Sequence, residues 1–238
     1  MENGVPSKGM KILDLLRLTF QAGKPVTLYN IFHGIPITNE ATIAMISKGY
    51  VVLNVHSYQA VCIAMEKCTY IKGELLPEIV RAHLVAVDIN SKEVIVAKFT
   101  PAQHTFDKRM SLRVQPKEPL QVRIYSGEMS ALALLADVSQ TGVGLYSFWA
   151  YINDQLDFRR EDFIRLELNL PTSEQTLRLR GRITNLSRER GAIMYRVGIQ
   201  ITPNENQEPV LADYIAQRQA EILDELELIY QTMRLSKK

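Results

Sequence analysis

Two groups of side chains in this 238-residue chain have the types and spacing to do chemistry. Arg109 and Arg113 stand four residues apart, with Lys108 beside the first. A guanidinium is a planar fork of donors that can meet a pair of acceptors bidentately, so two of them on one segment can clamp a small anion from two sides. The second group is Asp137-Val-Ser139-Gln-Thr-Gly142, an acceptor, a hydroxyl and a glycine closing an apolar strand. Spacing alone proves little for the arginines, since about one such pair is expected by chance in a chain this rich in arginine. Arg178 and Arg182 repeat it on an alternating stretch, where they read as a solvated strand face. The hexapeptide is more selective, with a chance match in roughly one chain in twenty. Asn185-Leu-Ser187-Arg-Glu-Arg190 begins the same way and ends in Arg. Structurally, Asp137 and Ser139 are expected to cap a turn with Gly142 at positive φ, which is compatible with ligand contact.

Other chemistries find no constellation. His33, His56, His83 and His104 are scattered without metal-ligand spacing, and Ser139 lacks the glycine-flanked elbow of a nucleophilic serine. No glycine-rich phosphate loop precedes a helix. The reading is therefore a binding protein without catalysis, metal or cofactor. Cys62 and Cys68 lie in apolar runs outside any C-x-x-C pattern and read as reduced core thiols. A net charge of only +2 gives no sign of a bulk polyanion partner, so no DNA partner is expected. Residues 108–206 carry fourteen Lys and Arg against eleven Asp and Glu, which fits one local anion site better than a basic face. Without an apolar leader at the N-terminus or a membrane-length apolar run, the expectation is a cytoplasmic protein with no membrane span.

These residues need a scaffold, and the hydrophobic period supplies one. A first helix is expected from about Lys8 to Gln21, with Ser7 as its cap and Ile12, Leu13, Leu16 and Phe20 on one face. Short strands then follow at Val26–Phe32, Ala41–Ile46, Tyr50–Val55, Ala60–Met65, Glu78–Val87 and Glu93–Phe99. After an aperiodic stretch around Pro101, strands return at Leu120–Tyr125, Ser130–Val138, Val143–Tyr146, Phe163–Leu170, Leu177–Leu186 and Tyr195–Ile201. Phe148 to Asp162 receives no assignment, and Arg188 to Gly191 is expected to turn. The fold class is mainly β: two small antiparallel barrels or split barrels with an N-terminal and a C-terminal helix. The expected organisation is a helix plus barrel-like module over 1–99, a linker over 100–107, a β-barrel over 108–206 and a helix over 207–238.

In that last helix Ala212, Ile215, Gln219, Ile222, Leu226, Ile229 and Met233 step alternately by three and four, a heptad seam. Docking on its own chain accounts for it. The expectation leans slightly towards a homodimer through 212–233, because a strict seam is narrower than a docking face usually needs.

Taken in order, the two motifs resemble the PilZ domain family. Its signature is R-x-x-x-R leading into a six-stranded barrel, then [DN]-x-S-x-x-G some twenty to thirty residues on. Val114, Gly144-Leu145 and Tyr195-Arg-Val-Gly198 also look like the family's strand patterns. The resemblance covers about residues 107 to 205, and more weakly the β-rich modules that precede PilZ domains in flagellar-brake-like proteins. Thr141, where many members have Gly, is a departure at an unspecified position. The resemblance implies a receptor for cyclic di-GMP. Arg109 and Arg113 would then contact guanine and phosphate, with Lys108 as a helper. Asp137 would accept from a guanine N1/N2 edge, Ser139 would bond phosphate or base, and Gly142 would let the backbone approach. It also implies a change in domain arrangement and control of motility, biofilm or polysaccharide through an unidentified protein partner. A ligand-independent adaptor, or an RNA- or anion-binding module using Arg178, Arg180 and Arg182, are the alternatives.

Overall fold

The computed structural model describes residues 11–102, 112–148, 162–188 and 194–236. Among them the strands form two closed antiparallel barrels of six strands each. The first runs β1 (Val26–Phe32), β2 (Ile35–Ile46), β3 (Tyr50–Asn54), β4 (Cys68–Lys72), β5 (Val80–Asp88) and β6 (Glu93–Pro101). Its spatial order is β1-β2-β3-β6-β5-β4, closed by the pairing of β1 with β4. Helix α1 (Ile12–Gln21) precedes it, and α2 (Ser57–Glu66) interrupts it. The second barrel runs β7 (Gln121–Ser126), β8 (Met129–Ser139), β9 (Gly142–Phe148), β10 (Phe163–Asn169), β11 (Thr176–Arg188) and β12 (Met194–Ile201). Its order β10-β11-β12-β9-β8-β7 closes through β10 and β7. Helix α3 (Gln207–Leu235) ends the chain.

The mainly β class with a helix at either end is therefore as the period indicates, but several assignments change. Ala60–Met65 is not a strand. It lies within α2, where His56 Nδ1 accepts a bond from the Tyr58 amide at 3.3 Å and Lys67 closes the C-terminus in the left-handed conformation. Gln59, Ala60, Val61, Cys62, Ile63 and Ala64 are all buried, so this helix shows no polar stripe. The strand that follows it, β4, has no counterpart among the expected ones. β2 begins six residues before Ala41, and β6 continues through Pro101 into the stretch expected as a linker. The Ser7 cap, the Phe148 to Asp162 segment apart from its two ends, and most of the Arg188 to Gly191 turn lie outside the described residues.

In the first barrel, β1 alternates buried and half-buried positions, and Asn30 occupies one of the fully buried ones. Its amide donates to Glu66 Oε2 at 2.8 Å and to the Cys68 carbonyl at 2.9 Å. Its oxygen accepts from Gln59 Nε2 at 2.7 Å and Thr69 Oγ1 at 2.8 Å. That satisfies all four bonding positions of a buried amide, which would otherwise be costly to bury. The network ties α2 to β1 and β4. Burial raises the Glu66 carboxyl above its ordinary range, while its bonds from Asn30 and the Ile31 amide oppose that shift.

In the second barrel, Val122, Ile124, Leu135, Val138, Val143, Leu145, Leu166, Leu179, Ile183, Val197 and Ile199 point inward and are buried. On α3 the buried stripe is Leu211, Tyr214, Ile215, Arg218, Ile222, Leu226 and Tyr230. The apolar seam members Ile215, Ile222 and Leu226 are thus already covered within a single chain. The other seam members, Ala212, Gln219, Ile229 and Met233, are half-buried.

Candidate ligand site

The site is made by a break in alternation. On β8, Leu135 pairs with Leu145 of β9, but Asp137, not Ala136, pairs with Gly144. That extra residue is a β-bulge. Without it Asp137 would share the parity of Leu135 and point into the core. With it Val138 takes the inward place opposite Val143, and Asp137 and Ser139 turn to the outer face opposite Gly144 and Gly142. The floor beneath them is glycine. Gly144 pairs with Asp137 on one side and Gly198 of β12 on the other.

Asp137 nevertheless remains 6% exposed. Its carboxylate lies so close over Gly144 that an added Cβ there would meet Oδ1 at 2.8 Å. Two guanidinium groups converge on it. Arg113 Nη1 stands 3.5 Å from Oδ1, and Arg196 Nη2 donates to Oδ2. Arg196 also donates to Tyr146 Oη at 2.8 Å, and its guanidinium carbon lies 5.1 Å from that ring's centroid. Pairing of β12 with β9 sets Arg196 directly opposite Tyr146, so the cation rests on an aromatic face while reaching the acid. Among the described residues Asp137 Oδ1 has no hydrogen-bond partner, although it is buried. The 3.5 Å approach of Arg113 is an ion-pair distance and leaves lone pairs of this oxygen for a donor.

Arg113 is brought there by its neighbour. Val114 is fully buried and forms an isolated bridge to Val138, with Val114 N to Val138 O at 2.9 Å and the reciprocal bond at 3.0 Å. Extended backbone alternates its side chains, so burying Val114 turns Arg113 outward beside Asp137. Ser139 is buried and donates through Oγ to the Gly142 carbonyl at 3.2 Å, closing the β8–β9 turn.

Of the residues expected at the site, Arg113, Asp137, Ser139 and Gly142 therefore lie in one place, while Lys108 and Arg109 fall outside the described residues. The expectation for Gly142 needs correcting: it is not among the glycines at positive φ. A Cβ there would come within 3.4 Å of Ile199 O and Ser139 Oγ, so close contact and not turn conformation is what favours glycine. Arg196 and Gly144 were not expected at the site, although both lie in stretches noted as family-like strands. The second arginine pair behaves as a solvated face should. Arg178 pairs with exposed geometry to Glu167 at 3.1 Å, and Arg182 bonds Gln200 at 3.3 Å. Among the described residues no group of three or more His, Cys, Asp or Glu side chains could hold a metal. No helix among them is long and apolar enough to cross a membrane.

Comparison with known proteins gives this geometry a family. Residues 107–217 match the model of the PilZ domain. A curated protein of Aquifex aeolicus (strain VF5), described as uncharacterized, is 27% identical over 143 residues, which cover 57% of this chain and 62% of that protein. The match thus spans less than two thirds of that relative's length. Among solved structures, YcgR of Escherichia coli in complex with c-di-GMP aligns at 16% identity and TM-score 0.45, covering 91% of this chain and 93% of that one. The K. pneumonia MrkH–c-di-GMP complex aligns at 11% identity and TM-score 0.47, covering 90% and 95%. The Bacillus subtilis inhibitor of motility MotI (DgrA) aligns at 14% identity and TM-score 0.40, covering 84% and 97%. The second barrel of this chain lies within the stretch that matches the PilZ domain model.

Proposed function

We propose that this chain is a receptor for cyclic di-GMP and not an enzyme. The observation that carries the reading is the buried Asp137 carboxylate, held on the outer face with Oδ1 unbonded beside a guanidinium. Guanine's N1/N2 edge presents only donors, so an anchored acceptor with a free lone pair suits it. The opposite O6/N7 edge presents two acceptors, which an arginine fork meets bidentately. Arg113 makes that contact or one to a phosphodiester oxygen. Arg109 fills the complementary role through the R-x-x-x-R motif, with Lys108 adding charge. Ser139 and the glycine floor leave the backbone open to close approach.

Binding would draw Lys108–Arg113 against the Asp137–Gly142 turn and change how the two barrels face each other. A ligand that bound both arrangements equally would shift nothing, so the closed segment must be the tighter binder. The output of such a receptor is control of motility, biofilm or surface polysaccharide through a protein partner, and its place of action is the cytoplasm. The domain division at 100–107 belongs to the same proposal.

Titration calorimetry of the wild type and Arg113→Ala tests the reading. A charge-assisted bond is worth roughly 1.5–3 kcal/mol, so the variant should bind about ten- to a hundred-fold more weakly. No heat from folded wild type at tens of micromolar ligand would sink the receptor. Unchanged affinity in the variant would sink the assignment of Arg113.

A further inference from the structure

The described part of the arginine segment is held from the far side by a residue of α3. Arg218 is 3% exposed, a rare position for a guanidinium, and it lies one residue beyond the stretch that matches the PilZ model. Its Nε donates to the Gln115 carbonyl at 2.9 Å, and its Nη1 donates to Glu221 Oε2 at 3.1 Å. Burying a cation is costly unless its donors are used, and a guanidinium offers them in one rigid plane. One carboxylate in the next turn of the same helix would balance the charge without any contact to the barrel. The bond to Gln115 acts on another element.

What it acts on is the segment presenting Arg113. The bridge between Val114 and Val138 is isolated, so it fixes one residue, and the next is held at its amide, where Gln115 N donates to the His33 carbonyl at 3.0 Å. A cavity of about 260 Å³ lies behind the continuation of the segment, lined by Pro116, Lys117 and Leu120 together with Pro171, Tyr214 and Gln217. Arg218 adds a hold on the other side of the same residue, at the Gln115 carbonyl.

We propose that Arg218 is a positioning residue: by holding the Gln115 carbonyl it sets the direction in which Arg113 is offered to the ligand at Asp137. Binding sites gain affinity when the contacting group is held in its productive geometry before the ligand arrives. The proposal rests on the reading of this site as a cyclic di-GMP receptor.

The test is calorimetry with cyclic di-GMP on the full chain as wild type, Arg218→Met, Arg113→Ala and the double variant, with urea unfolding of each. Arg218→Met is expected to weaken binding about five- to twentyfold. The double variant is expected to bind no more weakly than Arg113→Ala, because Arg218 acts only through Arg113. A merely structural role would make the two losses multiply, and that result overturns the proposal, as does wild-type affinity in Arg218→Met. If Arg218→Met fails to fold, Arg218→Lys carries the same cycle, since it keeps the charge but not the planar fork. Wild type that binds while these variants show no coupling defeats this inference alone. Wild type that gives no heat defeats the receptor reading, and the inference with it.

Discussion

Gly144→Ala is the sharpest probe of how the site is built, because it needs no ligand. Gly144 is not at positive φ, so its backbone would accept alanine, and only space forbids it. The new Cβ would stand 2.8 Å from Asp137 Oδ1 and 3.0 Å from both Cγ and Oδ2. Ordinary carbon–oxygen contact lies near 3.4 Å, so the carboxylate must retreat by about half an ångström. It cannot do so freely, since Arg196 holds Oδ2 and the side chain is buried. Overpacking of this kind costs about 1–3 kcal/mol. Asp137→Ala removes the opposing atoms instead. Its own cost should be near about 1 kcal/mol, because Arg113 and Arg196 side chains are 41% and 37% exposed and can regain water.

The two substitutions should therefore couple. In the Asp137→Ala background the penalty of Gly144→Ala should fall to about zero, or reverse slightly, since replacing glycine narrows the unfolded ensemble. Urea unfolding of the four proteins gives the coupling free energy, expected at about 1–3 kcal/mol. If Gly144→Ala costs the same in both backgrounds, within about 0.5 kcal/mol, Asp137 does not lie over Gly144 and the site has been built wrongly.

Two further expectations concern the first barrel. Asn30→Ala strands the groups that meet on its amide and should cost about 3–5 kcal/mol in urea unfolding, whereas a loss below about 1 kcal/mol would mean the network is not formed. It should also change the pH dependence in a defined direction. Burial raises the folded Glu66 carboxyl above its unfolded value of 4.5, so its contribution to stability is present below that pH and is lost as pH rises through the folded value. Removing the Asn30 bond raises the folded value further, so the decline should extend to higher pH; a decline that moves lower contradicts the geometry. The Cys62 thiol is pushed up to about 12, first by burial and then by the charge of Glu66. A thiol reagent at about pH 8 should modify it only as fast as the chain unfolds, with the rate climbing in urea; fast labelling of native protein, located by mass spectrometry, would show an open α2.

Much of the scaffold was legible because barrel strands have one wet and one dry face. β7, β10 and β11 alternate cleanly, and their observed limits depart by at most about two residues from those read off the period. α2 was not legible for the opposite reason. A helix buried on every side has no stripe, and over Ala60–Met65 its apolar run has the length of a strand. Only its caps, His56 and Lys67, distinguish it, and neither is a residue type that announces a helix end. On α3 the heptad steps did mark the buried side, but the seam had no way to state whose surface would bury it.

The candidate site divides along the same line. Motif residues carried in one local stretch, Asp137, Ser139 and Gly142, could be named together from order and spacing, because the turn that gathers them is local. What makes them a site is not local. Continued alternation from Leu135 would have put Asp137 in the core, and only the pairing of β8 with β9 shows that a bulge turns it out. Arg196 is 59 residues from Asp137 in sequence and reaches it through two strand pairings. Gly144 is an ordinary strand residue in the sequence, and only the fold makes its missing Cβ the space a carboxylate occupies. These three features share one consequence: they fix Asp137 so that Arg196 takes one oxygen and the other keeps lone pairs for a donor. An acid merely exposed on a loop would keep both oxygens hydrated and offer no preferred edge to a ligand. The selectivity of the hexapeptide as a pattern therefore comes from the turn, whereas its selectivity for a donor edge comes from residues that the pattern does not contain.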